Sequence, residues 1–269
     1  MDNINPKVPI GTTEYQIMAV YNFVFIFLIG LFAGFINVIV GSGSSITVPF
    51  LIFIGLPPIM AIGTNRFSMM FNNFTGAVRY HAKKYLNLRI AILFSIFAAV
   101  GSIIGAKLVL VTKPTMLTQI IAIVLVIEAV VLIFSTKLGI NKKIIEFSTK
   151  RYIIGCLFGL LVGIYGGFIG MAMTSILMFF IVLLFGFSFL ESAAITKVIT
   201  FVISLTATII FLTSFKVDIL VGIVLSIAYI IGGYFGVHSA IKMGDFRVKI
   251  LFIIIAALSA IGLLLGWKI

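Results

Sequence analysis

Apolar segments of about 20 residues follow one another along almost the whole chain. Residues 89–111 and 190–213 are typical, because each is long enough to cross the ~30 Å hydrocarbon core of a bilayer as a helix. Hydrophobic residues make up 62% of the 269 residues, charged residues only 10%, and the mean hydropathy is +1.32. A soluble domain normally carries charge on about a quarter of its residues. The sequence therefore predicts an all-α, polytopic transmembrane helical bundle.

Up to ten segments are expected in this bundle. They cover residues 16–40, 46–56, 59–79, 89–111, 115–135, 152–168, 170–187, 190–213, 217–240 and 246–267. The second is only about half a crossing, since it follows a glycine-serine stretch and ends at Pro57 and Pro58. If such stretches merely interrupt a helix, the number of crossings falls to eight. The bundle is thus predicted to have 8–10 segments, with a Gly-rich broken or short helix in each half.

The basic residues predict how the chain is oriented. Twelve of the 19 lie in three short loops, 79–89, 137–151 and 242–249, and loops rich in Lys and Arg face the cytoplasm. The number of segments between these loops is even in each case. This topology places both termini outside the cytoplasm in a multi-pass inner-membrane protein. The net charge of +12 is therefore interpreted as a topology signal, and no nucleic-acid partner is expected.

Short motifs indicate that the chain contains a duplication. The motif Gly101-Ser-Ile-Ile-Gly105 matches Gly232-Gly-Tyr-Phe-Gly236 at an offset of 131, and residues 61–64 match 193–196 at an offset of 132. Gly34 and Gly41 align with Gly159 and Gly166 at an offset of 125. These matches predict a first membrane repeat at 16–135, a basic cytoplasmic linker at 136–151 and a second repeat at 152–267.

Loop charges indicate how the two repeats are related. Loop 79–89 is strongly basic, whereas its equivalent at 214–218 is nearly neutral. Equivalent loops on opposite sides of the membrane require inverted repeats, an architecture associated with alternating-access transport. Two other interpretations stay open: parallel halves of four crossings each, or a duplication that reflects ancestry alone. The four-residue spacing of the paired glycines is itself better explained by close helix packing.

Each repeat also contains a candidate helix break. The first consists of Gly41, Ser42, Gly43, Ser44 and Ser45. The second contains Gly163, Gly166, Gly167 and Gly170. Irregular backbone within a membrane persists only where it is buried in protein or lines a cavity, and a helix N-terminus there attracts anions. The alternative is an ordinary turn near one face of the membrane.

Two cations lie inside predicted spans at nearly equivalent depths. They are Arg66 and Lys197, and each belongs to a segment with further polar residues: Asn65 and Asn72 in one, Thr196 and Thr200 in the other. A buried cation usually faces a partner, a cavity or a ligand. Arg66 could clamp an oxyanion with two hydrogen bonds, while Lys197 would supply a point charge. Both could instead snorkel to an interface or hold a lipid head group.

The remaining ionisable residues suggest little other chemistry. Glu128 is the only acid deep in a predicted span, where it could carry a coupling proton or pair with a cation. The two histidines have no metal-binding spacing, and no set of catalytic residues is recognisable. No metal, cofactor or enzymatic activity is predicted.

The first-half motifs resemble the sulfite exporter TauE/SafE family of integral membrane proteins. The resemblance rests on residues 34–45, Val48-Pro49, Gly55-Leu-Pro-Pro58, residues 61–64 and 76–80, and covers nearly the whole chain from about residue 24. It implies an inner-membrane permease for sulfite, thiosulfate, sulfonates or related organic acids. It also places Asn37, Thr64 and Asn65 in the family's strongest motif, which implies a role in substrate binding. The chain departs from the family's run of three glycines at residues 42–45, and the second repeat lacks a proline after its glycine loop.

The function predicted is therefore a secondary transporter for a small anion, coupled to protons in one version of the hypothesis. Its expected partners are the substrate and the lipid bilayer, and a homo-oligomer is compatible with the sequence. A non-transporting scaffold or assembly factor and an anion channel are the alternatives.

Overall fold

The structure is a computed structural model that describes the backbone of residues 13–39, 41–134 and 148–264, and the side chains of 23–39, 41–125 and 148–244. Every described element is a helix, as the sequence predicted. The helices are α1 Thr13–Ile39, α2 Gly43–Phe53, α3 Pro58–Ala82, α4 Leu88–Val111, α5 Pro114–Phe134, α6 Thr149–Phe168, α7 Met173–Phe185, α8 Phe189–Thr213 and α9 Ile219–Leu264. The last is broken at Gly244, which separates the ninth and tenth predicted segments.

The helices meet the requirements of a membrane protein. Within the described residues, four stretches are long and apolar enough to cross a bilayer: 88–111, 149–168, 189–213 and 219–244. Large apolar side chains such as Phe97, Leu161 and Ile227 are exposed on them, as expected where lipid is the solvent. Helix α3 is equally long, but it buries a row of polar side chains towards the centre of the bundle.

Glycines allow α4 and α6 to pack with their backbones in contact. A Cβ atom at Gly101 would overlap the carbonyl oxygen of Leu160, and one at Gly105 would overlap that of Ile164. Small residues are the usual means of close helix packing in membranes. These glycines therefore lie where the packing interpretation placed them.

The same contact recurs between α1 and α9. A Cβ atom at Gly232 would overlap the carbonyl oxygen of Leu31, and one at Gly236 would come within 2.6 Å of that of Phe35. The glycines of the two helix pairs are related by the offset of 131, and the carbonyls they meet by an offset of 129. The first helix of each half thus packs against the fourth helix of the other.

Helices α3 and α8 run in opposite directions where they touch. Gly63, near the start of α3, packs on Phe211, near the end of α8, with 3.2 Å between the position of its Cβ and that of Phe211. Gly76, near the end of α3, packs on the Lys197 side chain near the start of α8 at 3.1 Å. These two polar helices therefore form an antiparallel pair between the halves.

The close helix contact predicts a graded response to added methyl groups. Gly105→Ala should lower the free energy of unfolding by about 1–3 kcal/mol, because its Cβ would collide with rigid backbone at Ile164. Gly159→Ala is the matched control, since its nearest neighbour is at 3.1 Å and the next at 3.7 Å. Thermal unfolding of the purified variants measures both, and equal melting temperatures would contradict the proposed packing constraint.

Candidate functional site

In each half, one glycine in the left-handed backbone conformation follows the end of the first helix. Gly41 has a φ of +94° and precedes α2, while Gly170 has a φ of +64° and lies just before α7. The two short helices have 11 and 13 residues, which at 1.5 Å per residue gives about 17 and 20 Å. Both are shorter than the ~30 Å core of a bilayer. Each half therefore contains a helix end and a helix start within the protein.

The second break lies four residues later than the sequence alignment placed it. Gly166, the residue aligned with Gly41, is inside α6, and the break occurs at Gly170. Gly34 packs on the backbone of Tyr229, and the equivalent contact is that of Gly163 with Ala98. The offset between the first helices is therefore 129, and the expected offset of 125 is wrong. The alignment failed because α6 is rich in glycine, so that several registers match equally well.

The two breaks touch each other. A Cβ atom at Gly41 would lie 2.6 Å from the Cβ of Thr174, in the first turn of α7, and 3.0 Å from the backbone nitrogen of Ser175. Ser42 and Ser44 are buried beside this contact, and Ser45 is half-buried. The first break therefore lies directly against the start of α7 in the second half.

Arg66 reaches from the first half into the second break. Its side chain is 1% exposed, and its Nη2 donates a hydrogen bond to the carbonyl oxygen of Ile169. A Cβ atom at Gly170 would overlap the guanidinium, so only glycine fits beside it. Arg66 is thus buried against the end of α6, and it does not snorkel.

Lys197 makes the equivalent contact in the opposite direction. It is 1% exposed, and its Nζ donates to the carbonyl oxygen of Asn37 at 2.6 Å, with Asn73 Oδ1 at 3.5 Å. Asn37 is in the last turn of α1, where helical carbonyls lack partners within the helix.

The two contacts form a reciprocal pair. Arg66 and Lys197 are 131 residues apart, but the carbonyls match only approximately: at the first-helix offset of 129 the residue equivalent to Asn37 is Gly166, three residues before Ile169. Each cation therefore binds the end of the first helix of the other half. A helix C-terminus carries partial negative charge, so it is a favourable position for a cation.

Amide side chains fill the space between α1, α3 and α9. Asn37 Nδ2 donates to Asn72 Oδ1 at 2.6 Å and to Asn73 Oδ1 at 3.3 Å. Asn72 Nδ2 in turn donates to the carbonyl oxygens of Tyr229 at 2.7 Å and Gly34 at 3.1 Å. The hydrogen bonds of Asn72 are thus used to position helices.

A second buried network contains two residues that the sequence did not single out. Thr47 Oγ1 lies 2.7 Å from both Asn65 Oδ1 and the hydroxyl of Tyr229, and that hydroxyl donates to Asn65 Oδ1 at 3.0 Å. The network ties α2 to α3 and α9. Thr47 and Tyr229 stand in largely apolar segments far apart along the chain, so no local signal identifies them as partners.

Three predicted threonines have mainly structural contacts. Thr64 Oγ1 accepts from the backbone N–H of Asp218 at 2.9 Å. Thr196 and Thr200 donate to carbonyls of their own helix, those of Ser192 and Thr196. Glu128 lies in α5, and its side chain is outside the described residues, so its predicted role is untested.

Five buried donors remain without a hydrogen-bond partner among the described residues. Two of them, Ser192 Oγ and Thr208 Oγ1, lie in α8, and the other three are Ser42 Oγ, Asn65 Nδ2 and Arg66 Nε. The one acceptor in the same condition is Asn37 Oδ1. A buried donor without a partner is costly, and such groups commonly bind a ligand or water. The region around the first break and the facing turn of α3 therefore has an excess of donors, suited to an anion.

Comparisons with known proteins address the class of protein. The family model described as sulfite exporter TauE/SafE matches residues 26–263. The chain belongs to this family. It is 28% identical to a probable membrane transporter protein, ORF9, of a Sinorhizobium species, over 93% of this chain and 95% of that one. It is also 28% identical to a probable membrane transporter protein of Haemophilus influenzae (86% and 90% covered) and 26% identical to the probable membrane transporter protein YfcA of Escherichia coli K12 (89% and 88%).

Membership in the TauE/SafE family and the apolar spans make the chain a multi-pass membrane protein of a transporter family. No solved structure matches it. The substrate-binding roles of the residues above remain predictions.

The contact between Gly170 and Arg66 can be tested by adding one methyl group. Gly55→Ala is the matched control, because Gly55 also has a positive φ (+104°) but has open space around its Cβ position. The control should lose about 1–2 kcal/mol of stability from backbone strain alone. Gly170→Ala should lose roughly 1–3 kcal/mol more, because the Arg66 guanidinium is displaced from its carbonyl. Thermal unfolding measures the difference, and similar losses in both variants would rule out the clash.

Proposed function

We propose that the chain is a secondary transporter for a small anion, and that the breaks together with Arg66 and Lys197 form its binding site. The observation that carries this proposal is the charge of the described interior. Two cations are buried there, at 1% exposure each, and they contact neutral carbonyl and amide oxygens. Buried charges are normally paired, so two buried cations that contact only neutral oxygens among the described residues favour binding of an anion.

The acids in the described part of the chain support this proposal. Only Glu191 and Asp218 have described side chains, and both bind backbone N–H groups at the start of a helix, α8 and α9 respectively. The described hydrogen bonds of Arg66 and Lys197 go to other groups. The first break and α3 also contain donors without a partner, which are neutral and charged N–H and O–H groups. Oxyanion oxygens accept hydrogen bonds from groups of this kind.

The start of α2 adds a further contribution to an anion site. Ser42 is its N-cap residue, with no hydrogen bond from its side chain to the helix. The first N–H groups of a helix have no partners within the helix, and its dipole is positive at this end. We propose that Gly41 to Ser45 bind the anion from one side and Arg66 from the other.

The family description supports a choice of substrate class. It names a sulfite exporter, and the donor-rich interior suits tetrahedral or pyramidal oxyanions. We therefore propose a sulfur-containing oxyanion, a sulfonate or a related organic acid as the substrate, with the protein in the inner membrane.

Alternating access between inverted halves is the proposed mechanism. Two observations support a two-fold axis perpendicular to the helices. Helices α3 and α8 are antiparallel where they touch, and the first helix of each half packs against the fourth helix of the other. If these helices span the bilayer, that axis lies in the membrane plane, which is the geometry of inverted-repeat carriers. With the basic loop 79–89 on the cytoplasmic side, both termini would be outside the cytoplasm.

Removing either cation should abolish anion flux. Proteoliposomes containing Arg66→Ala or Lys197→Ala should show roughly a hundredfold less counterflow of labelled thiosulfate or sulfoacetate, because loss of a charged hydrogen bond in a site typically costs about 2–3 kcal/mol. Lys107→Ala is the control, as this cation is exposed on α4. Thermal unfolding checks that the variants fold. Normal counterflow in both interior variants would remove the proposed site, and flux without counterflow in the wild type would indicate a channel.

The inverted topology predicts opposite labelling of two equivalent turns. Lys83 and Ser214 are related by the offset of 131, and both are C-cap residues with nearly the same backbone angles, φ −97° and −96°. In a Cys156→Ser background, Lys83→Cys should react with an impermeant maleimide only from the cytoplasmic side, and Ser214→Cys only from outside. Labelling of both from the same side would overturn the inversion but leave the anion site untouched.

A further inference from the structure

Arg66 and Lys197 occupy equivalent positions but have different chemistry. Both are buried, both donate to a carbonyl at the end of a first helix, and the repeat offset of 131 relates them. An arginine keeps its charge in proteins, whereas a buried lysine readily releases its proton. Equivalent places in the two halves are thus filled by one permanent cation and one that can become neutral.

The groups around Lys197 Nζ can accept a hydrogen bond from either its charged or its neutral form. From α1 it meets the carbonyl of Asn37, from α3 it meets the amide of Asn73, and its stem packs on Gly76. A neutral amine can also donate to these acceptors, although more weakly than an ammonium does. The charge on Nζ therefore depends on what else occupies the interior.

Four titratable groups in the helices packed against α8 have hydrogen-bond partners of their own. The hydroxyl of Tyr80 donates to the Val38 carbonyl, that of Tyr165 to the Met171 carbonyl and that of Tyr229 to Asn65, while Arg66 donates to Ile169. The described acids, Glu191 and Asp218, are at helix starts. Compared with the charges of the described residues, an anion entering the site would be the main negative charge acting on Lys197.

We propose that Lys197 carries the proton that couples anion movement to the pH gradient. This inference rests on the proposed function. On the side where the anion enters, Nζ takes a proton from water and becomes an ammonium that is balanced by the bound anion. Anion and proton cross together, and after the anion leaves, the proton returns to water on the other side. The empty carrier then returns to its first conformation with Lys197 as a neutral amine, and Arg66 stays charged throughout.

The substitution Lys197→Arg separates coupling from binding, because it keeps the cation and removes the exchangeable proton. Wild-type proteoliposomes with an alkaline interior should accumulate labelled thiosulfate about tenfold per coupled proton for each unit of pH difference, with the membrane potential clamped by K⁺ and valinomycin. Thiosulfate is a suitable probe because its own charge does not change near neutral pH. Lys197→Arg should accumulate no thiosulfate against the pH gradient, whatever rate of counterflow it retains. Lys216→Arg, the same change at an exposed lysine, should behave as wild type.

Each outcome decides the question. Undiminished accumulation by Lys197→Arg would overturn the inference while leaving anion transport intact. If Lys197→Arg also stops counterflow, proton uptake by the purified wild-type protein is measured with a pH indicator in weak buffer. Binding of one proton per thiosulfate bound, lost in Lys197→Arg, supports the inference. No proton uptake by the wild type refutes it. Absence of any anion binding or flux in the wild type would instead remove the proposed function, and the inference with it.

Discussion

The arrangement of the interior depends on two cations buried at helix ends. Taking a guanidinium or an ammonium out of water costs several kcal/mol unless hydrogen bonds replace the lost water. Here the replacement comes from carbonyls that a helix end leaves unpaired, at Asn37 for Lys197 and at Ile169 for Arg66. A helix must therefore stop inside the protein in each half, and a left-handed glycine stops it. The short helices, the left-handed glycines and the buried cations therefore depend on one another.

The two short helices are held by different contacts. Three polar groups, two from the first half and one from the second, form a hydrogen-bonded network that binds α2 to α3 and α9, and the residues at the corresponding positions around α7 cannot repeat it with side chains. The first set is Thr47, Asn65 and Tyr229, and the second is Ile176, Thr196 and Ala98. Helix α7 instead buries apolar side chains such as Met173, Leu177 and Ile181. Shifting α2 would break buried hydrogen bonds, which are costly to leave unmade. Shifting α7 would mainly exchange one apolar contact for another.

The sequence predicted the helices well and their contacts poorly. Long apolar runs ending at glycines, prolines or basic loops define where a helix can lie, and most predicted boundaries are within three residues of those observed. The register between the halves failed at Gly166, because a glycine-rich helix offers several equally good matches. Thr47 and Tyr229 were missed, since a polar residue in an apolar run gives no sign of its distant partner. The carbonyls that bind the cations were not predictable, because every residue has one and only tertiary packing selects among them.

The hydrogen bond between Arg66 and Ile169 changes how an anion would bind. A guanidinium presents five donors in a planar fork, and a clamp on an oxyanion uses two of them side by side. One nitrogen is already committed to the end of α6, while Nε has no partner among the described residues. Because Nη2 carries two hydrogens, a two-point clamp through Nε and Nη2 can use one of them while the other stays on the Ile169 carbonyl. The anion and the end of α6 would then be held by one planar guanidinium, and any rotation of it towards the anion changes its hydrogen bond to α6. In an alternating-access carrier, this shared guanidinium would be a direct physical link between occupancy of the site and movement of the helix that ends beside it.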